Sequence, residues 1–248
     1  QKAPFDDPRV RKAFSLAIDR TYIVNQVTQS GQVEAGGFVP SGVYDADGAD
    51  GDDFRTVGGD YYKPTDADYE ANCDEARQLL ADAGYPNGEG FPVVEYLYNT
   101  SDAHKAVAEA LQFMWEEELG VKVTLNNQEW AAFLQTRKDG DYSIARNGWI
   151  ADYNDPISFL DMWMTGGGNN DAQYANDDYD ALIKQAKTTT DNAERMDLLH
   201  QAEDKLIGED SVLAPLYFYT QKYMLADGIE GMYYCPLGYF FFGYTHQA

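Results

Sequence analysis

Residues 92–125 read PVVEYLYNTSDAHKAVAEALQFMWEEELGVKVTL. Their order predicts a strand, a capped helix and a second strand. Pro92 to Tyr98 is a short apolar run of the kind that forms a buried strand. Asn99-Thr100-Ser101-Asp102 offers side-chain oxygens to the free N–H groups of a helix start. Val107, Leu111, Met114 and Trp115 then fall on one helical face, and Gly120 supplies a stop. Val121, Val123 and Leu125 alternate with polar residues, as on a half-buried strand.

The same alternation extends in both directions and predicts an α/β chain. Upstream, Asp7-Pro8 pairs a cap residue with a first-turn proline, and Val10, Phe14, Ala17, Ile18 and Tyr22 predict a helix over 8–28. Ala76, Leu79, Leu80 and Ala83 predict another over 66–83, stopped at Gly84-Tyr85-Pro86. Between them, residues 30–63 are rich in Gly and Asp with no sustained period, and read as a long acidic loop. Downstream, the pattern predicts a helix at 129–138, a strand at 142–150, a loop from Ala151 to Pro156, and helices at 176–188 and 192–207. Asp191 and Glu194 stand at capping-box spacing. Strands are expected at 212–219 and 221–226, and no internal repeat is found. Residues 217–244 are dense in Tyr and Phe, so they need a surface to cover, either this chain's own core or a neighbouring lobe.

Composition narrows the function. The chain has 248 residues, 44% hydrophobic and 14% aromatic, enough for a large core in one or two domains. A net charge of −24 argues against nucleic acid and anionic lipid, because phosphates would be repelled. No apolar run approaches the roughly 20 residues that span a bilayer. The opening Gln1-Lys2-Ala3-Pro4 does not resemble a secretory signal, which is expected to be absent or removed. Cys73 and Cys235 fit no CxxC pattern and are expected as unpaired thiols, with one long-range bridge as the alternative. Asp45, Asp47, Asp50, Asp52 and Asp53 crowd one loop, but an EF-hand would need oxygen ligands where Ala49 and Thr56 stand, so no metal site is expected. Nucleophile-elbow, HExxH, P-loop and GxGxxG motifs are missing, and Asp152 with Asp155 is a weak case for glycoside hydrolysis.

Charge on an apolar face is the more informative signal. It lies in residues 127–156, NQEWAAFLQTRKDGDYSIARNGWIADYNDP. Trp130, Phe133, Leu134 and Arg137 share a helical face. Tyr142, Ile144, Arg146, Gly148 and Ile150 share a strand face by parity. Asp152 follows Arg146 by six residues, at most about 20 Å along a strand. Unpaired buried charge is expensive, so two readings stand. Arg137, Arg146 and Asp152 or another carboxylate form internal ion pairs, or they are the poles of a cleft for a zwitterion. Arginine suits a carboxylate by bidentate bonding, and aspartate suits an ammonium. Trp130 and Trp149 are either core or cleft wall, and His104 is either a surface group or a ligand contact.

The segments PFDDPRVRKAFSLAIDR, NTSDAHKAVAEALQFMWEEELGVKVTLNNQEW, RNGWIADYNDPISFLDMW, YDALI and APLYFY closely resemble the C-terminal lobe of the oligopeptide-binding proteins among the family 5 solute-binding proteins of ABC importers. The resemblance implies an α/β lobe of a two-lobed periplasmic-binding-protein-like clamshell (type II, cluster C), a mixed sheet flanked by helices. It implies a peptide-binding lobe over 1–226, with the tail 227–248 returning towards an N-terminal lobe. Asp152 then corresponds to the aspartate that meets the peptide's α-amino group, and Arg146 to an arginine that meets its carboxylate. Arg137 and His104 correspond to helpers, Trp130, Trp149 and Tyr219 to aromatic walls, Asn99 to a polar contact, and Ile150 to a main-chain contact. Where Ile150 stands the enteric type has a cysteine. Cys235, the acidic loop near 45–60 and the tail after about 226 have no counterpart in the pattern. The implied partners are an oligopeptide, the N-terminal lobe and a membrane permease, with no cofactor and no catalysis. The implied location is outside the cytoplasmic membrane, periplasmic or lipid-anchored. Members of this family run to more than twice this length, so the chain is expected to be one jaw. Dipeptides, nickel, haem, opines and oligosaccharides are carried by relatives and remain open as ligands.

Overall fold

The computed structural model describes residues 2–62, 66–235 and 238–248. Its centre is a parallel sheet in which Val94–Asn99 lies between Val123–Gln128 and Ile144–Ala145. The helix Asp102–Leu119 joins the first two strands. Ser101 caps it by accepting from the His104 N–H, and Gly120 ends it at φ 69°, where a side chain would also run into the Asn87 carbonyl. The apolar face read from Val107, Leu111, Met114 and Trp115 is buried. Trp115 fixes this face, because its indole N–H donates to the Phe14 carbonyl at 2.8 Å and its ring packs between Phe14 and Tyr96. The helix Pro8–Leu16 in turn packs on Asp66–Asp82.

The helix expected over 8–28 is broken. After Leu16 the chain turns, Asp19 caps a new turn at Arg20–Tyr22, and residues Ile23–Thr28 continue with a wider winding. The reason is Arg20, a buried guanidinium that donates to the carbonyls of Ser15, Ile18 and Pro215 at 3.0, 3.2 and 2.7 Å. Carbonyls inside an unbroken helix would already be engaged.

Residues 30–62 carry more structure than an irregular loop. Val33–Glu34 pairs with Tyr217–Phe218, Tyr44–Asp45 pairs with Gly48–Asp53, and Asp53 caps the short helix Phe54–Gly58. One buried carboxylate holds this region. Glu203, fully inaccessible on the helix Asn192–Glu203, accepts from the Arg55 guanidinium at 2.7 and 3.0 Å and from the N–H groups of Phe38 and Val39, both at 2.8 Å. Gly37 is needed there, since a side chain would collide with that guanidinium.

Three expected strands are corrected. The strand over 142–150 shrinks to Ile144–Ala145. Arg146 still donates its N–H to the Leu97 carbonyl, but Asn147 then binds the Gly148 N–H through its own side chain and turns the chain off the sheet. The strand over 212–219 shrinks to Tyr217–Phe218, because Pro215 has no N–H to donate and its carbonyl is occupied by Arg20. No strand forms over 221–226. A helical turn absent from the sequence reading, Ile157–Leu160 continuing into Asp161–Trp163, buries Phe159, Leu160 and Trp163. The aromatic tail forms an interrupted ribbon, pairing Tyr233–Cys235 with Tyr239–Phe241 and Ile229–Glu230 with His246–Gln247. Cys73 and Cys235 are both free thiols. No helix among the described residues is long and apolar enough to cross a membrane.

Glu203→Ala strands the Arg55 charge and two backbone donors in the interior. It is expected to cost about 3–5 kcal/mol of unfolding free energy, measured by urea denaturation.

Candidate ligand-binding site

The chain lays its first strand in the middle of the parallel sheet, so successive crossovers run to opposite sides and leave a crevice at the carboxyl ends. Asn99 ends the central strand. His104 lies in the first turn of the helix after it, Trp130 opens the helix Trp130–Lys138 after the second strand, and Arg146 follows the third. A cavity of about 1530 Å³ opens beside these ends. His104, Trp130, Arg137, Arg146, Trp149 and Tyr219 are in its wall, with Ile150 at its rim. Residues 40–44 and 211–221 form further parts of the wall. Trp130, Ile150 and Tyr219 are 52%, 69% and 58% exposed, so three apolar groups face solvent around one opening.

The two arginines differ. Arg137 donates to Asp171 at 2.7 Å and to Asn147 at 2.9 Å, and its guanidinium lies 5.1 Å from the centroid of the buried Phe133 ring. Its charge is neutralised internally by a carboxylate 34 residues away. Arg146 makes no ion pair among the described residues; its nearest polar partner is the Tyr219 hydroxyl at 3.4 Å. Arg146 and Asp152 therefore do not neutralise each other.

Asp152 is exposed, and its N–H donates to the Ser158 hydroxyl at 2.9 Å. Its carboxylate is not part of the cavity wall, although Ala151 and Tyr153 on either side are. Asp155 forms a two-point ion pair with Arg195, both bonds 2.8 Å, which commits it to structure. The Trp149 indole donates to the Ser158 carbonyl at 2.7 Å, so Ser158 holds both Trp149 and Asp152. Asn99 is buried and lies outside the wall. Its amide oxygen and that of Gln128, its neighbour in register, have no hydrogen-bond partner among the described residues, and neither has the His104 Nδ1. Asp171 and Ser158 escaped the sequence reading because each meets its partner through tertiary packing, with no local pattern to mark it.

Burial pushes the His104 imidazole below its ordinary value, and the nearby Arg146 charge pushes in the same direction. The polar backbone of Asn99 opposes both. In the acidic loop, Asp45 is engaged by His200 at 2.7 Å, while Asp53 accepts from the Gly42 and Thr56 N–H groups. Among the described residues no cluster of three metal-ligating side chains forms.

The chain belongs to the bacterial extracellular solute-binding proteins, family 5 Middle, whose family model matches residues 1–171. It is 38% identical over 237 residues to the dipeptide-binding protein DppE of Bacillus subtilis, covering 95% of this chain and 42% of that protein. It is likewise 38% identical over 231 residues to the periplasmic oligopeptide-binding protein OppA of Salmonella typhimurium, covering 93% of this chain and 40% of that one. Among solved structures it resembles Listeria monocytogenes OppA bound to peptide, with a TM-score of 0.80 and 28% identity over 98% of this chain and 45% of the other. The chain thus spans about two fifths of the length of the curated relatives it matches. Its mixed α/β architecture is that of a lobe of a type II binding protein.

The lowered His104 value carries a sign. Between the folded midpoint and the ordinary value of 6.5, the unfolded chain binds more protons than the folded one. Stability therefore falls as pH drops through that window. Imidazole NMR is expected to place the His104 midpoint below 6.5, and Arg146→Gln is expected to raise it.

Proposed function

We propose that this chain is the peptide-contacting lobe of the substrate-binding component of an ABC importer. It captures short peptides by their charged ends and main chain, and neither makes nor breaks a bond. The observation that carries this reading is Arg146, a guanidinium in the wall of a large cavity with no carboxylate paired to it among the described residues. An unpaired arginine is stabilised by an anion from outside, and the terminal carboxylate of a peptide matches its fork. Asp152, exposed and unpaired among the described ion pairs, serves the terminal ammonium. Arg137, held by Asp171, shapes the wall beside Arg146 and is not a second free charge. His104, neutral at physiological pH, offers a hydrogen bond without adding a charge. The aromatic rim at Trp130, Trp149 and Tyr219 accepts varied side chains by apolar contact. Asn99 supports the floor, and the main chain at Ile150 runs alongside the peptide.

In this reading a second lobe of the longer protein closes over the cavity. Closure excludes water and strengthens both terminal contacts. The aromatic tail 227–248 packs against that lobe, which accounts for the exposure of Tyr239, Phe242 and Tyr244. The loaded protein delivers the peptide to a membrane permease on the outer side of the cytoplasmic membrane, either free or lipid-anchored.

Two pairs of ligands test the poles in the full-length protein by calorimetry. Asp152→Ala is expected to weaken a free tripeptide about a hundredfold and its N-acetylated form little. Arg146→Gln is expected to weaken the free-acid form and spare the C-terminal amide. Equal losses within either pair would remove that residue from its role.

A further inference from the structure

The segment 42–53, part of the acidic loop, is bonded directly to the loop that carries Asp152. Asn154 is the link. Its side-chain oxygen accepts from the Tyr44 N–H at 2.8 Å, and its side-chain amide donates to the Gly42 carbonyl at 3.0 Å. The two contacts need opposite hydrogen-bonding character at the two ends of one flat group, which an amide has and a carboxylate or an alkyl chain lacks. Gly42, at φ 84°, uses its other backbone group as well, donating its N–H to Asp53 at 2.6 Å. Asp53 at the same time caps Phe54–Gly58, and the Phe54 N–H returns to the Val43 carbonyl.

The far side of the hairpin is tied down too. His200 binds Asp45, and the Asn192 amide donates to the Ala46 carbonyl at 2.7 Å. Both partners sit on the helix Asn192–Glu203, as does Arg195, which holds Asp155. Asp152 therefore stands on a short loop gripped from two directions, by Asn154 through the hairpin and by Asp155 through the helix, while its own N–H is held by Ser158. Residues 41–44 and Tyr153-Asn154, the segments that Asn154 joins, both line the cavity.

We infer that Asn154 is a positioning residue for the ammonium end of the ligand, and that the acidic hairpin is the strut through which it acts. This rests on the role proposed for Asp152. An exposed carboxylate on an unsupported loop would sample many directions, and each lost direction would be charged against binding. The bracing fixes the backbone that aims Asp152 before ligand arrives.

The test uses the full-length protein, trialanine and N-acetyl-trialanine. Asn154→Ala is expected to weaken trialanine about tenfold, as the loss of two ordinary hydrogen bonds allows, and to change N-acetyl-trialanine less than about twofold. Asn154→Asp, which keeps an acceptor for Tyr44 but cannot donate to Gly42, is expected to fall between. Asp53→Asn weakens the strut from the other end and should show the same selectivity, which keeps the test open if Asn154→Ala folds poorly. Equal weakening of both ligands, or none, would overturn the inference. Asp152→Asn is run alongside: if it fails to discriminate between the ligands, the role of Asp152 itself is wrong. If it discriminates while the Asn154 variants do not, the strut alone is wrong.

Discussion

A carboxylate cannot be taken out of water without full compensation, and Glu203 shows how much structure that rule organises here. Its two oxygens receive the Arg55 fork and two consecutive backbone N–H groups, from Phe38 and Val39. Four donors from two distant parts of the chain are drawn to one point on a helix near the C-terminal end. Gly37 and Phe38 line the cavity, so this wall is set by a charge that never reaches it. The same residues bring Asp53 and the acidic hairpin into place beside the loop of Asp152. Replacing the pair with apolar groups could keep the energy but not the direction of approach.

The cavity itself follows from a different constraint. A central strand with parallel neighbours on both sides gathers the loops after the strands at one edge of the sheet. Three loops that are remote in sequence therefore deliver Asn99 with His104, Trp130, and Arg146 to one place. Within that place the charges are treated unequally. Arg137 is satisfied by Asp171, while Arg146 is left with a tyrosine hydroxyl. In a chain of net charge −24 a free guanidinium does not lack for possible partners. Its lack of an ion pair among the described residues is a product of the fold, and it leaves the cavity with a cationic pole.

Much of the scaffold was legible in residue patterns. The unit from Val94 to Gln128 was, because its caps, stop and periodicities all agree and depend on nearest neighbours. So was the helix Asn192–Glu203, whose start is written in Asp191 and Glu194. The failures share a cause. The helix after Pro8 breaks for a buried Arg20 whose acceptors include Pro215, nearly two hundred residues away. The strand through Arg146 is cut short when the side chain of Asn147 takes its own neighbour's N–H and the Arg137 guanidinium. The acidic loop read as featureless because its order comes from His200, Glu203 and Asn154, none of which is local to it.

The amino-acid sequence by itself determined the α/β class, the helix boundaries set by caps, and the presence of arginines and an aspartate where apolar neighbours made them conspicuous. These depend on interactions within a few residues. Tertiary structure alone decided which arginine is quenched and which stays available, and which asparagine ties the loop of Asp152 to the acidic hairpin. Those choices turn on contacts between groups tens to hundreds of residues apart, and the geometry of a charge's partners is not encoded in its immediate neighbours.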